Sequence, residues 1–305
     1  MTLEKIIKNV FNVKPNESIL IVTDKKKLKI AKRFYKASKK LTKNVKIILK
    51  PVGKYNGEEP PKNVAREMLK HDIVLAPTTH SITHTKARIN ACKKGARIAT
   101  LPGITEEMLH ESLLANPKEL ENYAKKILKV LRNKRLVRVT TKNGTNIILS
   151  LWKRKLEPDT AKIGKGEYGN LPAGEVSFSP VEGSANGIIV IDSMEDYVKP
   201  GTKVLVFNGL VFGISDHDCK LAKIFEKVKN SRNIAEFGIG INKKAKLIGK
   251  ILQDEKVLGT CHIAFGNNES YGGKVYSQVH LDCILKKPTI IIENKTIMKD
   301  GKFLI

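Results

Sequence analysis

SILIVTDKKKLKIAKRFYKASKKL, residues Ser18–Leu41, opens on a short apolar run and then changes period. Residues 18–23 suit a buried strand, and the lysine-studded stretch that follows suits a helix to about Leu41. The same alternation continues outward. VKIILKPV (45–52) predicts a second strand, and a helix follows Pro60-Pro61. DIVLAP (72–77) predicts a third strand, a helix covers about 86–94, and ARIATL (96–101) predicts a fourth strand. Strands alternating with helices of this length imply a doubly wound parallel sheet covered on both faces, a Rossmann-like α/β domain. Two more helices, about 105–115 and 117–133, complete it, so the first domain is expected to span 1–134.

From Arg135 the period becomes two. RLVRVTT and NIILSL flank Asn143-Gly144-Thr145, and KVLVFN and LVFGI flank Gly209, so both pairs read as hairpins. One helix is expected at about 218–230, and PTIIIENKTIMKDGKFLI reads as a final meander turning at Asp300-Gly301. The second domain, 135–305, is therefore expected to be strand-rich, and it holds the candidate metal-binding residues.

The chain has 305 residues, 41% hydrophobic and 28% charged, which suits a folded globular protein. No apolar stretch approaches the ~18 residues of a membrane span, and the N-terminus lacks a signal-type apolar core, so a cytoplasmic location is expected. The cysteines Cys92, Cys219, Cys261 and Cys283 are widely spaced, which argues against a disulfide framework or a zinc ribbon. More than half of the +26 formal charge lies before Lys134. That excess raises RNA binding as one reading, but few aromatic residues interleave with the lysines to stack on bases. Abundant lysine and isoleucine with few glutamines instead fit a thermophile's composition.

Four stretches of the second domain combine glycine with acids or histidines. NLPAGEVSFSPVEGSANG (170–187) presents Glu175 and Glu182, IAEFGIGIN (234–242) presents Glu236, and GTCHIAFG (259–266) presents His262. YSQVHLDCIL (276–285) presents His280 and Asp282, which point to one face of a strand because they are two residues apart. Two histidines and up to three carboxylates form a borderline-to-hard donor set suited to Zn, Mn, Co or Fe(II). The bland alternatives are a turn acid for Glu175, a lysine-paired Glu236, a core histidine at 262 and a solvated polar face at 280–282.

Taken in order, NLPAGEVSFSPVEGSANG, AEFGIGIN, DEKVLGTCHIAFGNN and VHLD resemble the aminopeptidase T family of metallopeptidases, the thermophilic leucyl aminopeptidases. The first domain adds a similar stretch in VLAPTTHSITHTKAR. The resemblance implies divalent cations held by Glu175, Glu236, His262, His280 and Asp282, a homodimer, and removal of N-terminal residues from peptides. A metal-activated water would attack the scissile carbonyl, with Glu175 or Glu236 as base and Tyr271 donating to the oxyanion. Thr260 stands where those peptidases show a further glutamate, so one metal ion is as consistent as two.

The same motifs also resemble the iron-dependent 2,5-dihydroxypyridine dioxygenases, for which His262, His280 and Asp282 would supply two histidines and a carboxylate. In that branch a histidine is expected where Glu236 stands. The retained glutamates favour hydrolysis. The expectation is thus a metallo-aminopeptidase acting on a peptide or small molecule with Zn, Co or Mn, with the Fe(II) dioxygenase as the alternative. In the first domain, hydroxyls after the DIVLAP strand suggest an anion pocket built by Thr79 and His80, with His84 and Arg88 reaching a substrate carboxylate.

Overall fold

The computed structural model describes residues 2–305, apart from the side chain of Ser270. Packing divides the chain into two units, Met1–Pro117 with Asp159–Ala173, and Lys118–Pro158 with Gly174–Ile305. The sequence suggests a change of architecture near Lys134. In the packing, nearly all of the helix Pro117–Leu131 belongs to the second unit, and Asp159–Ala173 returns to the first.

In the first unit the strands Ile19–Thr23, Val45–Leu49, Ile73–Ala76 and Arg97–Thr100 form a parallel sheet in the spatial order second, first, third, fourth. The helices Leu28–Ser38, Lys62–Met68 and Lys86–Lys93 make the crossovers. Strands Ile19–Thr23 and Ile73–Ala76 are buried along their whole length, as a sheet covered on both faces requires. The lysine-rich helix succeeds because Ile30, Ala31, Phe34 and Ala37 share its inner face while its lysines stay in water. Leu20, Val22, Val74 and Ile98 meet Val64, Met68, Ala87 and Ala91 in one cluster. Each large apolar side chain buried there contributes about 1.5–3 kcal/mol.

Three features of this unit differ from the expectation. A leading helix, Leu3–Phe11, buries Ile6, Ile7, Val10 and Phe11 and is capped by Thr2. A fifth parallel strand, Tyr168–Asn170, pairs with Arg97–Thr100 and is too short to show a period. The expected helix at 105–115 breaks at Glu111 into Glu106–His110 and the 3-10 turn Ser112–Leu114.

The second unit holds two antiparallel sheets. In the larger one, Leu136–Thr140 pairs with Asn146–Ser150 and Lys203–Phe207 with Leu210–Ile214, as the turn residues imply. Asn208 and Gly209 both have positive φ, the backbone a tight hairpin of this twist needs. Buried and exposed residues alternate along Leu136–Thr140 and Asn146–Ser150, so one face of that sheet is solvated. In the smaller sheet four neighbouring strands run in the order His280–Lys286, Thr260–Gly266, Ile234–Gly240 and Glu175–Phe178. The last three are buried on both faces, so polar side chains there stand in core surroundings. Among the described residues no helix is long and apolar enough to cross a membrane.

Candidate metal centre

Strand register brings the candidate ligands of the second unit together. Ala264 lies opposite both Glu236 and Asp282, Gly266 opposite His280, Gly238 opposite His262, and Gly240 opposite Glu175. Directly paired residues, and residues two apart on a strand, face the same side of a sheet. Glu175, Glu236, His262, His280 and Asp282 therefore share one face, separated only by small residues. Two glycines make room there. A Cβ on Gly238 would lie 2.1 Å from Nε2 of His262, and one on Gly240 would lie 2.2 Å from the Val257 carbonyl oxygen. The glycine spacing of IAEFGIGIN is thus what lets an imidazole and a crossing chain segment lie flat on the strand.

Nε2 of His280 lies 3.0 Å from Oε2 of Glu236 and 3.4 Å from Oδ1 of Asp282. Its Nδ1 donates to the carbonyl of Asn267 at 2.8 Å, which fixes the ring and aims Nε2 at the two carboxylates. The hydroxyl of Tyr271 donates to Oε2 of Glu236 at 2.5 Å and lies 3.0 Å from the same Nε2. On the other side, Nε2 of His262 is 3.2 Å from Oε2 of Glu175 and 3.9 Å from Oε1 of Glu236.

Two residues that the sequence did not single out complete the cluster. The ammonium of Lys256, fully buried, lies 2.5 Å from Oε1 of Glu175 and 2.7 Å from Oε1 of Glu255. Glu182, by contrast, stands apart from the ligands and organises the loop that carries Tyr271. It pairs with Arg154 and accepts from Nδ2 of Asn268 at 3.0 Å and from the Lys274 amide at 2.8 Å.

Burial works against charge on both histidines, yet the carboxylates override it. Asp282 and Glu236 lift His280 well above its usual range, and Glu175 and Glu236 do the same for His262. Burial would likewise raise Glu236, but hydrogen bonds from His262 and His280 hold it well below the usual carboxylate range. Burial pulls Glu175 upward, but Lys256 and His262 together lower it below the usual carboxylate range. Burial pushes Glu255 up to about 8 in spite of Lys256, so near neutral pH the lysine pairs chiefly with an ionised Glu175.

A face that draws protons this strongly draws a cation for the same reason. Glu236, His280 and Asp282 form one group whose ligand atoms lie within 4.8 Å of one another; Glu175, Glu236 and His262 form a second, and Glu255, His262 and Asp282 a third. Oε2 of Glu175, 3.2 Å from Nε2 of His262, and Nδ1 of His262 are buried without a well-aligned hydrogen bond, so the donor capacity of this face is not used up within the protein. The donor set, carboxylate oxygen with imidazole nitrogen, suits a divalent metal. None of the three groups contains both His262 and His280, so the ligand set of those two histidines with Asp282 is not assembled as one group.

The residues expected to bind substrate lie in the first unit. Thr79 gives its amide and hydroxyl hydrogens to Asp24, at 2.5 and 2.8 Å. Thr78, beside it, donates from its hydroxyl to the His80 carbonyl. Burial, with the nearby Lys50, lowers His80 below its usual range. Arg88 is buried, donates from Nε to the Thr83 carbonyl and stacks its guanidinium 3.7 Å from the centre of the Tyr168 ring. His84 precedes the helix Lys86–Lys93, which Thr85 caps.

Fold and donor set together define a mixed α/β protein with candidate divalent-metal ligands on a buried antiparallel sheet. The family described as NicX, 2,5-dihydroxypyridine 5,6-dioxygenase, matches residues 5–305, and the chain belongs to that family. Two solved structures share the fold. The 2,5-dihydroxypyridine dioxygenase of Pseudomonas putida has 18% identity and a TM-score of 0.82, covering 99% of this chain and 95% of its own. AmpT of Thermus thermophilus has 12% identity and a TM-score of 0.73, covering 99% of both chains. No curated protein matches the chain.

The expectation of a metallo-aminopeptidase is therefore corrected. The family match points to the oxygenase branch, while both solved structures, the dioxygenase and the peptidase, share the fold. The physical reason for the error is that clustered carboxylates and imidazoles bind the metal for either reaction. Retained glutamates do not discriminate between them.

Proposed function

We propose that this protein is an Fe(II)-dependent dioxygenase that opens a dihydroxylated, nitrogen-containing aromatic ring of the 2,5-dihydroxypyridine type. The observation that carries this reading is the family match over residues 5–305. The grouping of Glu236, His280 and Asp282 supports it from the side of the site. These three would hold the ion, as one imidazole and two carboxylates. Iron, when bound, supplies the redox chemistry that lets dioxygen react with an aromatic ring.

The chain's own residues have separable tasks. The two carboxylates balance the charge of a divalent ion, and the Asn267 carbonyl keeps Nε2 of His280 directed toward it. Tyr271 brings a hydroxyl to within 2.5 Å of Glu236, so a proton leaving a ring hydroxyl has a phenol–carboxylate pair to enter. The strand Ile234–Gly240 is buried along its whole length, which keeps bulk water away.

The test is oxygen consumption by protein reconstituted anaerobically with Fe(II) and then supplied with 2,5-dihydroxypyridine. Uptake of one dioxygen per ring opened is expected, and Glu236→Ala should abolish it together with iron retention. Absence of uptake with dihydroxypyridines and dihydroxybenzenes alike, in protein shown to retain iron, would remove this reading.

A further inference from the structure

Lys256 is an unusual tenant for this face. It sits at the end of the turn that follows Ile251–Asp254, and its carbonyl accepts from the amide of Asn242 at 2.8 Å. That segment can cross the strand Ile234–Gly240 only because residue 240 is glycine. The ammonium is walled off from water and bridges Glu175 and Glu255. Burying a lysine costs heavily unless its charge is used.

Its use follows from counting donors. Glu175, Glu236, Glu255 and Asp282, with His262 and His280, form three separate groups rather than one cage, and the groups overlap at Glu236, His262 and Asp282. The group Glu175, Glu236 and His262 would by itself receive an ion. Oε2 of Glu175, in a residue more than nine-tenths buried, lies 3.2 Å from Nε2 of His262 without a well-aligned hydrogen bond. Its other oxygen, Oε1, is held by Lys256. An ion bound through Glu175 would lie within a few ångströms of a fixed positive charge that neither solvent nor salt can screen. Glu236, His280 and Asp282 meet one another around Nε2 of His280, on the far side of Glu236 from Glu175.

We infer that Lys256 is a built-in cation that blocks a second divalent-ion position at Glu175, Glu236 and His262, leaving one ion per chain at Glu236, His280 and Asp282. This rests on the metal-dependent reading above and adds to it a residue that sets the metal count. A lysine here does electrostatically what a second ion would do, without being removable by a chelator.

The experiment is equilibrium dialysis of the whole chain against Mn(II), combined with electron paramagnetic resonance of the bound ion. Wild type should bind one Mn(II) with the six-line signal of an isolated ion. Lys256→Met should bind two, with the altered signal of a spin-coupled pair, and Lys256→Arg should stay at one. Because Lys256→Met leaves Glu175 uncompensated, the double variant Lys256→Met/Glu255→Gln provides the same test with residue 255 fixed in an uncharged form. Two ions in wild type, or one ion in folded variants lacking the lysine charge, overturn the inference and leave the metal reading intact. No ion in wild type overturns both.

Discussion

Gly238 and His262 face each other across neighbouring strands, and the imidazole occupies the space a side chain at 238 would need. Alanine at 238 would put its Cβ 2.1 Å from Nε2 and 2.2 Å from Cε1 of His262, so the ring must swing off Glu175 and Glu236. Gly238→Ala should destabilise the protein by about 1–3 kcal/mol, the usual range for overpacking a close-packed core. Chemical denaturation measures this. Adding His262→Ala to Gly238→Ala removes the clash, so the double variant should be more stable than the sum of the two single losses. Strict additivity would mean that the glycine is kept for another reason.

Tyr271 reaches Glu236 and His280 through its hydroxyl, without belonging to any ligand group. Tyr271→Phe keeps the ring, which lies edge-on to His280 with centroids 5.5 Å apart, and deletes the hydroxyl alone. If the phenol moves a proton during ring opening, kcat should fall by at least about 100-fold. Mn(II) affinity should fall by no more than about tenfold, the low end of what losing a group bonded to a ligand costs. A parallel loss of metal affinity and rate would show that the hydroxyl acts by positioning Glu236. An unchanged rate would remove it from the chemistry.

Much of this was legible in the sequence, for physical reasons that also mark where reading stops. The parallel sheet announced itself because its apolar runs are separated by helices whose lysines must face water. The hairpins did so because Asn143-Gly144 and Gly209 can adopt backbones that few residues can. Glu175, Glu236, His262, His280 and Asp282 stood out because each interrupts an apolar or glycine-rich strand, and the register brings all five to one face. Lys256 was invisible. In a chain of formal charge +26 a single lysine carries no signal, and its partner Glu175 lies 81 residues away. Glu255 was hidden in the same way. Tyr168–Asn170 escaped because three residues have no measurable period, and its neighbour Arg97–Thr100 is distant in sequence. The choice between hydrolysis and oxygenation was not legible at all from ligand types, since both chemistries begin with the same donors.

The fall of stability with rising pH should weaken when a divalent ion is added. Consider first protein stripped with a chelator. His262 and His280 have folded values raised above the ordinary 6.5, so their contribution is fully present below 6.5 and is lost as pH rises through the raised values. Glu255, raised from 4.5 to about 8, acts in the same direction, because its burial becomes costly as it ionises. Glu175 and Glu236 are depressed below 4.5, so their contribution is present above 4.5 and is lost as pH falls through the lower values. The stripped protein should therefore melt highest near pH 4.5, decline as Glu255 ionises, and decline more steeply above pH 6.5 as the histidines lose their protons. A divalent ion replaces the protons on His280 and balances Glu236 and Asp282, so its affinity should rise with pH as that competition fades. Thermal melts with and without Mn(II), in steps from pH 5 to pH 9, measure both effects. The expected result is a downward slope for the stripped protein and a Tm gain from Mn(II) that is larger at pH 8 than at pH 6. A stripped protein whose Tm is flat or rises between pH 6.5 and 9 would mean that the histidines are not held protonated by their carboxylates. The electrostatic account of the site would then fail.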